Sequence, residues 1–190
     1  MKKIIIVIAL ALTYTSANAG EWTGNVNFFL GQKTLDKDDW EPLDKQPEFG
    51  VLIDFKQQDW PVSIAIDLLG SSDETTFNEP GFGNISIEAQ TSELNLGVRK
   101  IWNTPNSSIR PYIGGGLALI NAEIGATGFI PVSDNDNGTG FWFGGGIYWT
   151  LNQSFNIGLD LRYSQADVTL FDESGDAGGT HAGLMLGYHW

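Results

Sequence analysis

From Trp22 to Trp190 the chain alternates apolar and polar residues at a period of two, in segments broken by turns. The last segment is the plainest. Ala182, Leu184, Leu186, Tyr188 and Trp190 share one face, and His181, Gly183, Met185, Gly187 and His189 share the other. Strict alternation over so many residues predicts a β-strand with two unlike faces. Seven earlier segments carry the same signal. The first, Trp22 to Thr34, sets Trp22, Val26, Phe28 and Leu30 against Thr23, Asn25, Asn27, Phe29, Gly31 and Lys33. The second sets Phe49, Val51, Ile53 and Phe55 against Gly50, Leu52, Asp54 and Lys56, and the third, Trp60 to Gly70, sets Val62, Ile64, Ile66 and Leu68 against Ser63, Ala65, Asp67 and Leu69. The fourth, about Ile85 to Trp102, is clearest where Leu94, Leu96 and Val98 oppose Glu93, Asn95, Gly97 and Arg99. Arg110 to about Ile124 and Phe141 to Leu151 follow, and the seventh opposes Phe155, Ile157, Leu159, Leu161 and Tyr163 to Asn156, Gly158, Asp160, Arg162 and Ser164.

The connections alternate in length. Short turns lie at Gln57-Gln58-Asp59, at Asn103 to Ser108 and at Asn152-Gln153-Ser154. Long, acidic loops run from Leu35 to Pro47, from Ser71 to Asn84, up to Gly140, and through Asp172, Glu173 and Asp176. This layout predicts an all-β fold, an eight-stranded antiparallel up-and-down transmembrane β-barrel with its apolar face toward lipid. Each strand is about as long as the 9–11 residues needed to cross a bilayer while tilted. The second is short unless it extends into its loop. No segment after residue 19 shows a helical period. A soluble lipocalin-like barrel would put large apolar side chains inside and charges outside, and would have no use for a terminal Tyr-x-Trp on its apolar face.

Composition sharpens the picture. Lys2-Lys3, an apolar run from Ile4 to Leu12 and Ala17-Asn18-Ala19 have the form of a secretory signal peptide, so residues 1–19 are expected to be removed and 20–190 to form the barrel domain. The run is too short to span a bilayer. Loss of the two leader lysines takes the formal charge from −13 to −15. A chain so acidic is not expected to bind nucleic acid. It has no cysteine, so disulfides, thiol chemistry and a lipid-anchored N-terminus are not expected. Its 24 glycines suit tight turns and glycine–aromatic contacts across strands.

With the apolar face outward, Lys33, Lys56, Arg99 and Arg162 point inward with Asp54, Asp67, Glu93 and Asp160. Four cations balance four anions, leaving the acidic excess in the loops. An eight-stranded barrel is just wide enough for side chains to fill, and charges buried there must pair. The same residues can form a salt-bridge plug or a gated ion path. Glycines such as Gly114, Gly116, Gly144 and Gly146 leave space unless Tyr112, Trp142 and Tyr148 fill it, and filling is expected. No catalytic site, cofactor or metal is expected. The only histidines are His181 and His189, and a triad of His181 with Ser164 and Asp167 gives way to a polar rim residue. Asp134-Asn135-Asp136-Asn137-Gly138 looks like part of a calcium loop, but the EF-hand spacing puts Ser133 at the first ligand position and Gly144 where Glu is required.

The closing strand, Arg110-Pro111-Tyr112-Ile113-Gly114-Gly115-Gly116 and Leu94-Asn95-Leu96-Gly97-Val98-Arg99 resemble the small outer-membrane barrels of the OmpA transmembrane-domain, OmpX and OmpW type. The resemblance covers essentially all of residues 20–190, and its motifs separate members of the superfamily poorly. It implies a Gram-negative outer-membrane location with both termini in the periplasm. Leu184, Leu186, Tyr188 and Trp190 would then be the C-terminal assembly signal read by the barrel-assembly machinery. Expected partners are outer-membrane lipids and lipopolysaccharide, and the expected state is a monomer. The expected function is non-enzymatic, structural or surface-interacting, with a narrow passive channel for small or apolar solutes next. A lipid-modifying enzyme is third.

Overall fold

The computed structural model describes residues 22–80, 83–103, 107–128 and 131–190. The expected signal peptide lies outside them. Ten strands and one helical turn follow in order: β1 (Trp22–Thr34), α1 (Lys37–Trp40), β2 (Lys45–Gln57), β3 (Ser63–Glu79), β4 (Gly83–Ile101), β5 (Ile109–Thr127), β6 (Val132–Leu151), β7 (Phe155–Gln165), β8 (Asp167–Leu170), β9 (Glu173–Asp176) and β10 (Gly179–His189). Eight of the strands close into an antiparallel barrel in the order β1-β10-β7-β6-β5-β4-β3-β2, and β8 and β9 form a separate hairpin. The seam is the β1–β10 ladder, from Asn25 opposite His189 to Thr34 opposite Thr180. One residue further on, Gly24 and Trp190 exchange both backbone hydrogen bonds at 3.1 Å. A Cβ on Gly24 would lie 2.5 Å from the Trp190 ring, so only glycine lets that ring lie against β1.

The outward face is a continuous apolar band. Phe28 is 68 % exposed and Leu30 66 %, which water would not favour and lipid does. Toward the long-hairpin end the band stops at one level on seven of the eight wall strands. Leu30, Phe49, Leu68, Leu94, Leu119, Phe141 and Tyr163 give way to Gln32, Pro47, Ser72, Ser92, Asn121, Thr139 and Gln165. On β7 the eight steps from Phe155 to Tyr163 give about 20 Å of height for a strand tilted about 40°. Aromatic rings mark both borders. Trp22 packs on Phe55 and Trp60 at 6.0 and 5.6 Å at the short-turn end, and Tyr163 packs on Phe141 and Phe143 at 6.4 and 5.5 Å at the other.

Four strands run further than their sequence pattern shows. β2 starts at Lys45, which gives it full crossing length. Within the stretches read as loops, Ser71 to Asn84 and up to Gly140, the described residues continue β3 to Glu79, β5 to Thr127 and start β6 at Val132. The β3–β4 and β5–β6 hairpins pair with each other from Ser86–Thr127 to Ser92–Asn121 and project as one four-stranded sheet. Above the apolar band both faces meet polar surroundings, so the alternation that marks a half-buried strand fades there. The remaining long loops form a cap. Leu35, Trp40 and Leu43 from the α1 segment pack on Ala166, Val168 and Ala177 around the β8–β9 hairpin. The Trp40 indole donates to the Asp176 carbonyl at 2.8 Å, and Asp39 accepts from the Asp176 N–H at 3.0 Å.

Candidate functional site

Alternation turns one polar side chain of every second residue into the barrel, and the tilt stacks them in layers. In the middle layer, carboxylates and guanidinium groups alternate. Arg99 bonds Asp54 at 3.1 Å and Asp67 at 2.8 Å. Arg162 bonds the same Asp67 oxygen at 2.9 Å and Asp160 at 2.6 Å. Side-chain exposure is 2 % or less throughout. The Tyr148 hydroxyl donates to Asp54 and that of Tyr112 to Asp160. These two rings stack at 4.6 Å, with the Arg99 guanidinium 5.0 Å from the Tyr112 centroid. The expected filling occurs at Gly146, where a Cβ would stand 2.7 Å from the Tyr112 ring carbon that bears the hydroxyl.

Beneath the cap, the Lys33 ammonium donates to Glu93 at 2.6 Å, Thr91 at 2.9 Å and the Ala177 carbonyl at 2.7 Å. The last bond ties β1 to the cap. Glu93 also accepts from Ser164 at 3.1 Å. Ser164 Oγ is 2.9 Å from His181 Nε2, and His181 Nδ1 is 2.8 Å from Glu48. At the short-turn end Arg110 donates to Thr150, Asn25 and Asn156. Asn25 donates on to Asp54 at 2.7 Å, which joins this layer to the middle one.

Of the inward charges predicted from the sequence, Lys33, Asp54, Asp67, Glu93, Arg99, Asp160 and Arg162 come together in this interior. Lys56 does not, and its assignment is corrected. It has the inward phase but sits at the short-turn rim, half-buried, with its ammonium on the Trp60 carbonyl at 2.9 Å. Since one rim hydrogen bond is at stake, Lys56→Ala is expected to change unfolding free energy in denaturant titration by about 0.5 kcal/mol or less. Sequence reasoning missed Glu48, Arg110 and the burial of His181. Glu48 is in phase with Gly50, Leu52 and Asp54, so carrying the alternation two residues back would have found it. Arg110 lies two before Tyr112, hidden by a turn and Pro111. With Lys56 removed, Lys33, Arg99, Arg110 and Arg162 face Glu48, Asp54, Asp67, Glu93 and Asp160, with His181 between Glu48 and Glu93.

Ser164, His181 and Glu48 have triad distances, with Glu48 in the place expected for Asp167. Their surroundings oppose nucleophilic chemistry. The Glu93 carboxylate lies 3.1 Å from Ser164 Oγ, where an oxyanion would develop, and all three residues are buried beneath the cap. The calcium-like fragment also has a structural role. Asp134 accepts from the Phe171 N–H and Asp136 from the Thr169 N–H, each at 2.7 Å, which docks β8 beside β6. The Thr169 and Asn137 N–H bonds hold the Asp136 carboxyl below the usual carboxylate range. A lowered folded value stabilises docking above the ordinary carboxylate range and loses it as pH falls through the folded value. Amide exchange at Thr169, corrected with Asp136→Asn, is therefore expected to accelerate only below that range.

The family model of the outer membrane protein β-barrel domain matches residues 4–189. No curated protein matches the chain in sequence. The solved structure of Ail, the attachment invasion locus protein of Yersinia pestis, in complex with the heparin analogue sucrose octasulfate, is similar with a TM-score of 0.63 at 14 % identity, covering 90 % of this chain and 99 % of that one. The N-terminal β-barrel domain of Pseudomonas aeruginosa OprF has a TM-score of 0.56 at 15 % identity, with 88 % and 97 % covered. Outer membrane protein OprG of Pseudomonas aeruginosa has 0.53 at 12 %, with 90 % and 96 % covered.

Proposed function

The chain belongs to the outer membrane protein β-barrel family, and on that premise we propose that it is a non-enzymatic structural and surface protein whose charged interior is a plug. The observation that carries this reading is the alternating series Asp54–Arg99–Asp67–Arg162–Asp160, which fills the middle of the barrel with ion-paired side chains shielded from solvent. Apart from the Arg162–Asp160 pair within β7, the ion pairs of this series join different strands, so the interior braces the wall. Residues 1–19 direct export, and Leu184, Leu186, Tyr188 and Trp190 present the closing strand to the assembly machinery. Lipids and lipopolysaccharide surround a monomeric barrel. The cap and the projecting sheet then face the cell exterior. Binding of a polyanion such as sucrose octasulfate does not carry over from Ail, because the outward face of the projecting sheet bears Glu74, Glu88 and Glu123.

A narrow passive channel is the second reading. Asp67 Oδ1, Arg99 Nε and Arg162 NH2 are buried without a protein partner, and such atoms favour internal water. Single-channel recording of the mature chain, refolded in detergent and inserted in a planar bilayer, separates the two. Silence from heat-modifiable protein is expected. Discrete openings that change in Arg99→Gln or Glu93→Gln would overturn the plug in favour of a pore.

A further inference from the structure

Arg110 differs from the other interior cations in its partners. It is 7 % exposed, and among the described residues no carboxylate lies within ion-pair distance of it. Its acceptors are neutral. Nε donates to Thr150 at 2.8 Å, and Nη2 to Asn25 at 2.8 Å and Asn156 at 3.0 Å. Nη1 has less. It stands 3.3 and 3.4 Å from the two ring nitrogens of His189, and Nδ1 of that ring already donates to the Gly24 carbonyl at 2.8 Å. One long contact to Nε2 is left, so at least one Nη1 proton has no protein acceptor. A buried charge held by neutral groups alone is costly.

Arg110 and His189 border a cavity of about 20 Å³ at the short-turn end, with Thr23, Asn25, Asp54 and Lys56 in its lining. About 10–15 Å³ is room for one water, so the space suits a single small group. Lys56 adds a second cation, and its ammonium spends only one of three protons, on the Trp60 carbonyl. The one acid in the lining is Asp54, and both its oxygens are taken. Oδ1 accepts from Asn25, and Oδ2 from Arg99 and Tyr148. From this mouth up through the middle layer, Lys56, Arg99, Arg110 and Arg162 face Asp54, Asp67 and Asp160. One positive charge is left over before any proton on His189 is counted, and it lies at the mouth.

We propose that this mouth binds one small monovalent anion, a halide or a single carboxylate group, between Arg110 Nη1 and the Lys56 ammonium. The anion accepts the free Nη1 proton and brings the lower interior to neutrality. A hydrogen bond between two charged groups is about twice as strong as one between neutral groups. Tetrahedral dianions do not fit, because the space is too small and a second negative charge overshoots the surplus. Thr150, Asn25 and Asn156 hold the guanidinium in place, so the site is organised before the anion arrives. That the mouth draws on periplasmic solutes rests on the orientation proposed above. Binding itself depends neither on that orientation nor on whether the lumen conducts.

The test uses the full mature chain in detergent micelles at constant ionic strength, with chloride or formate replacing gluconate, which is too large for the cavity. Amide resonances at Asn25 and His189 are expected to shift along a saturable curve, and formate should compete with chloride. Lys56→Glu, which turns one cation of the site into an acid, should weaken binding about tenfold or more. It should do so without moving the heat-modifiable migration that reports the folded barrel. Arg110→Gln should abolish saturation, and if that variant fails to fold, Lys56→Glu decides alone. Saturation by formate only would support the site and make its ligand a carboxylate, and saturation by chloride only would make it a halide. Shifts that never saturate, equal shifts in gluconate, or saturation unchanged in Lys56→Glu would each overturn the proposal. Conductance of the same preparation keeps the two readings apart, because openings together with normal anion binding would overturn the plug alone.

Discussion

Arg99→Met is expected to lower the unfolding free energy of the refolded barrel by about 3–5 kcal/mol. The guanidinium is fully buried and bridges Asp54 on β2 to Asp67 on β3, at 3.1 and 2.8 Å. Methionine fills a similar volume but leaves Asp54 with Asn25 and Tyr148, and Asp67 with Arg162 alone. A carboxylate stranded in a low dielectric is costly, and that cost exceeds whatever net gain the original pair gave. Denaturant titration followed by heat-modifiable migration measures the loss. Arg99→Met/Asp67→Asn should recover part of it, since residues in one network couple in double-mutant cycles. A loss below about 1 kcal/mol would mean that water reaches Asp54 and Asp67, in line with a conducting lumen.

Trp40→Ala is expected to remove about 3–5 kcal/mol from the cap rather than from the barrel. Trp40 is 6 % exposed among Leu35, Leu43, Ala166, Val168 and Ala177, and its indole bonds the Asp176 carbonyl. Truncation empties the centre of that cluster and frees the α1 segment, which has a single helical turn and no ladder of its own. Amide exchange at Leu35 and Ala177 and protease cleavage within residues 35–44 should rise steeply, while the barrel's denaturation midpoint stays put. Trp40→Phe should keep most of the packing and lose about 1 kcal/mol with the indole bond. Equal exchange in wild type and Trp40→Ala would mean that the lysine anchor, Lys33 on the Ala177 carbonyl, suffices to hold the cap.

The barrel was legible in the sequence because lipid on one side and a polar interior on the other force period-two alternation. That single constraint located all eight wall strands and seven of the interior charges. It failed where its physical basis ends. Glu74, Thr76 and Asn78 alternate with Asp73, Thr75 and Phe77 on a sheet that meets no lipid, so the pattern there resembles a polar loop. Lys56 shows the converse limit, since phase gives a direction and not a depth, and a long side chain one turn from the rim reaches out to a carbonyl. The cap was hidden for another reason. Leu35, Trp40 and Leu43 are too few for either period to stand out, and what buries them is the β8–β9 hairpin, more than a hundred residues away. His181 shared that fate, because the rim it was expected to occupy is roofed by the cap.

Seven of the eight ladders in the wall join strands that are neighbours or near-neighbours along the chain, and the eighth joins its two ends. The Thr23 hydroxyl donates to the Trp190 carbonyl across 167 positions. Bringing such distant segments together costs about 4–5 kcal/mol in chain entropy on the logarithmic law for loops, before any added constant, and topologies that depend on remote pairing fold slowly. The meander can form piecemeal, hairpin by hairpin, and then waits as a curled ribbon with β1 and β10 as bare margins. In that interval it is open to the wrong neighbour, and once the margins meet, the last ladder zips as a unit. The same seam is where a finished barrel has least local support, so its breathing should start between Asn25 and His189.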